Sequence, residues 1–133
     1  LILLDTHVLL WLLTDDGRLG SQTRRTLDAR GPAGEVGLSS VSFWAVAVRV
    51  QKGRLDFRFD LNAWRVRLLE SGLVELPADG GIALRAGLLT GMHGDPADRV
   101  IVASALHQGH TLVTADHQIL GWSGELDRLD ART

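Results

Sequence analysis

The chain contains no cysteine, which excludes a disulfide framework, thiolate zinc sites and cysteine nucleophiles. It also lacks any apolar stretch of the roughly 18 residues needed to span a bilayer. The run Val8–Leu13 is too short for that, and no basic segment leads into it. Charge of one dominant sign is missing too: 14 Lys and Arg stand against 16 Asp and Glu, for a formal net charge of −2. Any contact with nucleic acid must therefore come from locally placed cations. Gly31–Gly34 and Gly80-Gly81 are not followed by Lys-Ser/Thr, which excludes a nucleotide-hydrolysing P-loop. No Ser-His-Asp arrangement, internal repeat or low-complexity tract is evident. By elimination, the expectation is a cytoplasmic protein with no membrane association.

What remains is a chain of 133 residues with 45% hydrophobic content. That is enough for one domain over residues 1–133 with a single buried core. Short apolar runs alternate with helical spacing. Leu1–Leu4, Glu35–Leu38, Leu73–Leu76, Thr111–Thr114 and Leu126–Leu129 read as strands. Val8–Leu13, a polar segment from an N-cap at Ser21 to Arg30, Val41–Val50, Leu61–Glu70 behind Asp60, Ile82–Leu89 and Ala97–Gln108 read as helices, with a helical turn at Asp116–Leu120. The alternation predicts an α/β fold with a parallel sheet covered on both faces.

Three carboxylates stand at the edges of these runs. Asp5 follows the first strand, Asp98 opens an apolar helix, and Asp116 comes two residues after the fourth strand. Each has an ordinary structural role available: Asp5 and Asp98 can serve a helix N-terminus, and Asp116 a turn. In an open α/β sheet, however, residues just past the carboxyl ends of strands converge on one crevice. Gathered acids repel one another unless a cation sits among them. Mg²⁺ takes carboxylates, water and substrate phosphates as ligands, so phosphodiester hydrolysis is the natural chemistry.

The five histidines (His7, His93, His107, His110 and His117) show no H-E-x-x-H spacing and read as surface or loop residues rather than metal ligands. Trp11 and Trp44 lie inside apolar helices and read as core or interface packing rather than base-stacking platforms.

Four segments carry a family resemblance. Leu3–Leu13 (LLDTHVLLWLL) resembles the opening of PIN-domain proteins, above all the toxin ribonucleases of VapBC toxin–antitoxin pairs. Ser39–Leu55 (SSVSFWAVAVRVQKGRL), Asp95–Ala105 (DPADRVIVASA) and Leu112–Asp116 (LVTAD) resemble the second, third and fourth motifs in the family's order. The resemblance implies a three-layer α/β/α PIN-like fold with a short parallel sheet and Mg²⁺- or Mn²⁺-dependent cleavage of RNA. Asp5, Asp98 and Asp116 match the family's catalytic, metal-holding acids. Thr6, Thr114 and Asp95 match supporting polar positions. The implied partners are an inhibitory antitoxin, the RNA substrate and a second copy of the chain.

One position departs from the family. Its second motif commonly reads Phe/Leu-Trp-Glu, whereas Phe43-Trp44 is followed here by Ala45. A methyl group neither binds metal nor orients water, so the site should lack one of four acids and its activity should be impaired. A natural loss and a deliberate replacement both account for this. Arg49 and Lys52, one turn apart on the same helix, are the expected RNA contacts, with a solvated helix face as the competing reading. A non-catalytic RNA- or partner-binding module, and a phosphohydrolase acting on DNA or small phosphate esters, are the alternatives to the ribonuclease.

Overall fold

The computed structural model describes residues 1–133. Its five strands are β1 (Ile2–Leu4), β2 (Val36–Ser39), β3 (Val74–Leu76), β4 (Thr111–Thr114) and β5 (Arg128–Asp130). All neighbours are parallel, in the order β3-β2-β1-β4-β5. The helices are α1 (Thr6–Leu13), α2 (Ser21–Arg30), α3 (Val41–Gln51), α4 (Leu61–Glu70), α5 (Gly80–Leu88), α6 (Pro96–His107) and α7 (His117–Leu120).

The pleat of β1 explains the layers. Successive side chains of a strand face opposite sides of the sheet. Ile2 and Leu4 join Val8, Leu9, Trp11, Leu27, Val46, Trp64 and Leu68 of α1–α4 on one face. Leu3 joins Ile101, Val102 and Ala105 of α6 and Ile119 of α7 on the other. Ile82 and Ala86 of α5 pack outside α6 against Ala103. Three layers result, as a sheet whose strands are apolar on both sides requires.

The topology creates one crevice. From β1 the chain steps outward through β2 and β3, then returns to place β4 on the other side of β1. The connections reverse direction between β1 and β4, and the space past their carboxyl ends is where such sheets hold ligands.

The elements depart from the sequence expectations mainly at their ends. Gly20, not Ser21, is the N-cap of α2, and no side chain caps it. The C-terminal backbone explains this: Gly20 N–H donates to Ala131 O at 2.8 Å, and a Cβ at residue 20 would collide with the backbone of Arg132 and Thr133. The last strand lies two residues later than Leu126, because Leu126 is taken into the core beneath α6 while Arg128–Asp130 pairs with β4. Asp60, Asp79, Asp95 and Asp116 cap α4, α5, α6 and α7 through their carboxylates. Trp11 is buried, but Trp44 is 57% exposed and stands outside the core.

Candidate metal centre

Asp5 stands at the junction of β1 and α1. Its amide continues the ladder by donating to Val113 O at 3.0 Å, and its side chain turns inward, 2% exposed. One carboxylate oxygen accepts from the Thr6 amide and the other from the Thr114 hydroxyl, each at 2.7 Å. Burial pushes this carboxyl above its ordinary range, against the pull of those two donors.

Asp98 enters from the first turn of α6. Asp95 caps that helix, accepting from the amides of Ala97 at 3.0 Å and Asp98 at 3.3 Å. Burial first, then the charges of Asp5, Asp95 and Asp116, push Asp98 up to about 7, while His93 pulls the other way. Asp116 caps α7 by accepting from Gln118 N at 2.8 Å, and its own amide is held by the Thr114 hydroxyl at 3.1 Å. Thr114 thus serves both neighbours, donating to Asp5 and accepting from Asp116 N–H.

Oxygens of Asp98 and Asp116 and a nitrogen of His93 lie within 4.8 Å of one another. Asp5 sits outside that triplet but close enough for its charge to act on Asp98. The donor set suits a hard divalent ion: several carboxylates share one crevice, and burial, reinforced by the charges of its neighbours, drives Asp98 towards neutrality. A cation among them would remove that repulsion.

Ser42 links this centre to α3. The Thr6 hydroxyl donates to Ser42 Oγ at 3.0 Å. Ala45, one turn further along the same face of α3, is buried. The position that carries an acid in the resembling proteins is therefore inside, on the face that touches α1. Arg49 and Lys52 make no ion pair with the three acids. Lys52 is exposed at the end of α3, and one terminal nitrogen of Arg49 is buried without a hydrogen-bond partner.

Two features go beyond the sequence expectations. His93, which the sequence groups with the surface and loop histidines, reaches the centre: its Nε2 lies 3.4 Å from Asp98 and 3.8 Å from Asp116. Its position ahead of the Asp95-Pro96 helix start is the one signal the sequence offers. A cavity of about 210 Å³ also adjoins Asp116, lined by His7, Trp11, Ala115 and Arg132. Arg18 covers the Trp11 ring at 4.8 Å, so that indole serves as packing.

Comparison with known proteins places this geometry in context. The PIN domain family model matches residues 2–121. Ribonuclease VapC22 of Mycobacterium tuberculosis is 27% identical over 118 residues, covering 89% of this chain and 88% of that protein. Among solved structures, VapBC2 from Rickettsia felis bound to a promoter DNA fragment matches with a TM-score of 0.69 at 15% identity, covering 96% of each chain. DNA-bound VapBC from Salmonella typhimurium matches with a TM-score of 0.68 at 18% identity, covering 97% of this chain and 96% of that one.

Proposed function

The chain belongs to the PIN-domain family, and from that premise we propose that it is a metal-dependent endoribonuclease, the toxin of a toxin–antitoxin pair. The observation that carries this reading is the convergence of Asp5, Asp98 and Asp116 where β1 and β4 end side by side. The similarity to a ribonuclease over most of both chains supports RNA as the substrate.

Asp5, Asp98 and Asp116 would hold Mg²⁺ or Mn²⁺. When bound, such an ion polarises the phosphate and acidifies the attacking water. The chain's own residues shape the site around that position. Thr114 keeps the Asp5 carboxylate aimed, the Thr6–Ser42 bond ties α1 to α3, and Asp95 fixes the helix turn that presents Asp98. Ala45 leaves the centre one carboxylate short, which weakens metal binding because fewer charges offset cation dehydration.

The partner is an antitoxin protein, and an apolar surface is available for it. Leu13, Trp44 and Phe59 are 43%, 57% and 63% exposed. They edge cavities of about 450 and 290 Å³ that share Trp64. A second copy of the chain completes the assembly we propose. No helix is long and apolar enough to cross a membrane, in keeping with action in the cytoplasm.

Ala45 specifically favours a second reading, a PIN-fold module that binds RNA without cutting it. The deciding experiment is RNA cleavage with Mg²⁺ or Mn²⁺ by this chain and by Ala45→Glu, each with an EDTA control. EDTA-sensitive cleavage by Ala45→Glu alone identifies a disabled ribonuclease. Binding without cleavage by both supports the module.

A further inference from the structure

We propose that the cavity beside Asp116 is an RNA subsite for the phosphate next to the one that is cut, and that Arg132 is the residue that binds it. This subsite rests on the ribonuclease reading and gives the strand a place to go as it leaves the acidic crevice.

The crevice is open towards both faces of the sheet. Asp98 stands on α6, which covers one face, while α1 covers the other. The cavity of about 210 Å³ lies on the α1 side, where His7 and Trp11 line it together with Ala115, Asp116 and Arg132. Asp116 therefore belongs both to the acidic cluster and to the cavity. A strand with one phosphate at the acids has this cavity directly beside it.

Arg132 is the only Lys or Arg that lines the cavity, and it is free to act. Its side chain is 42% exposed, and its ion-pair partner Asp130 is 3.6 Å away, beyond hydrogen-bond length. An exposed pair of that kind contributes little, so the guanidinium fork remains available to a phosphate. Arg18, the cation over the Trp11 ring, is committed instead: its Nε and a terminal nitrogen donate to Asp16 at 3.1 and 2.7 Å. His7 is exposed as well, and an imidazole offers at least one N–H in either charge state. A ligand thus reaches both side chains from solvent.

The backbone holds Arg132 in place. Ala131, fully buried, donates its amide to Thr114 O at 2.9 Å and accepts from Gly20 N–H at 2.8 Å. The Arg132 amide donates to Asp130 Oδ1 at 2.9 Å, and the Thr133 amide to Asp130 O at 3.1 Å. Thr114 is also the residue whose hydroxyl serves Asp5 and Asp116. One residue therefore ties the acids and the base of Arg132 to a common point. A cation held this way binds with less ordering cost than one on a loose segment. The charge of Asp116 opposes an anion in the cavity, so phosphate should enter only when a cation occupies the acidic centre.

The test uses the full chain and two nucleotides, adenosine 3′,5′-bisphosphate and adenosine 5′-monophosphate, measured by calorimetry in Ca²⁺. The parent should bind the bisphosphate about tenfold more tightly than the monophosphate. R132A should bind both alike, with monophosphate affinity within about twofold of the parent's. R132K, a point charge without the fork, should keep about a third of the gain. No gain in the parent, a gain that R132A keeps, or a gain that persists in EDTA would overturn the proposal. Affinity for a short single-stranded RNA in Ca²⁺ should fall about tenfold in R132A, with the slope of log affinity against log salt shallower by about 0.7, the share of one phosphate. Mn²⁺ binding followed by electron paramagnetic resonance should change less than about twofold in R132A; a tenfold loss would mean that Arg132 acts through the acids and not on the phosphate. RNA binding that R132A leaves unchanged overturns the subsite alone. A parent chain that binds Mn²⁺ but neither nucleotide nor RNA overturns the ribonuclease reading and the subsite with it.

Discussion

The Thr114 hydroxyl donates to Asp5 Oδ2 at 2.7 Å, joining residues 109 apart in sequence through a fully buried contact. Thr114 ends β4 and Asp5 follows β1, and the two strands are paired neighbours. One hydroxyl thus fixes how two elements from opposite ends of the chain meet at the acidic crevice.

Thr114→Val keeps the shape of the side chain and removes that donor. A buried carboxylate oxygen is then left without its partner, a deficit worth about 2 kcal/mol. Urea unfolding without metal should show a lower midpoint at unchanged slope. A midpoint equal to the parent's would mean that the hydrogen bond contributes nothing net.

Ala45→Glu should act in opposite directions with and without metal. Without it, a fourth acid is placed in a buried position on the helix that the Thr6–Ser42 bond ties to the centre, and the variant should be less stable than the present chain by about 2 kcal/mol. With Mn²⁺ the order should reverse, because binding to the folded state alone stabilises it. Thermal melts of both chains in EDTA and in Mn²⁺ provide the check. A variant more stable in EDTA would count against an acid that belongs to the metal centre.

The raised carboxyl of Asp98 gives stability a definite sign with pH. Between the ordinary value of 3.8 and about 7, the folded chain keeps a proton on Asp98 that the unfolded chain has released. The folded state binds more protons, so this group's contribution to stability falls as pH rises across the window. Asp5 is shifted in the same direction. In EDTA, Asp98→Asn should gain stability relative to the parent on going from about pH 5 to about pH 7.5. An equal pH response in both chains would contradict the shift.

Arg49 and Lys52 allow a test of RNA binding that leaves the acids untouched. Each phosphate that these cations neutralise on a single strand contributes about 0.7 to the slope of log affinity against log salt. Replacing both with Gln should make that slope shallower by the corresponding amount. An unchanged slope would assign the two residues to a solvated helix face.

The acids are legible in the sequence because each lies at a boundary between a strand or loop and a helix, where apolar periodicity stops. Asp5, Asp98 and Asp116 follow from that pattern and from the motif resemblance, and the parallel α/β arrangement follows from the alternating elements. His93 cannot be found the same way. It reaches the centre through the fold of a short connection held by five side-chain bonds from Arg99, and neither spacing nor periodicity records such a cage. The N-cap at Gly20 is hidden for a related reason. Its cause is the backbone of residues 131–133 crossing over it, an approach between distant parts of the chain. Trp44 is ambiguous between core and interface because α3 is apolar around much of its circumference; only the packed structure shows which side is left open.

The placement of β4 between β1 and β5 also governs when the acidic centre comes into being during synthesis. While the ribosome is still making α5 and α6, β1 can pair with β2, but Asp5 has neither its hydroxyl partner nor its neighbouring acid. The crevice closes only after Thr114 and Asp116 have left the exit tunnel and β4 has inserted beside β1. A chain whose proposed activity is the destruction of RNA thus stays chemically incomplete until its fourth strand has been made and seated.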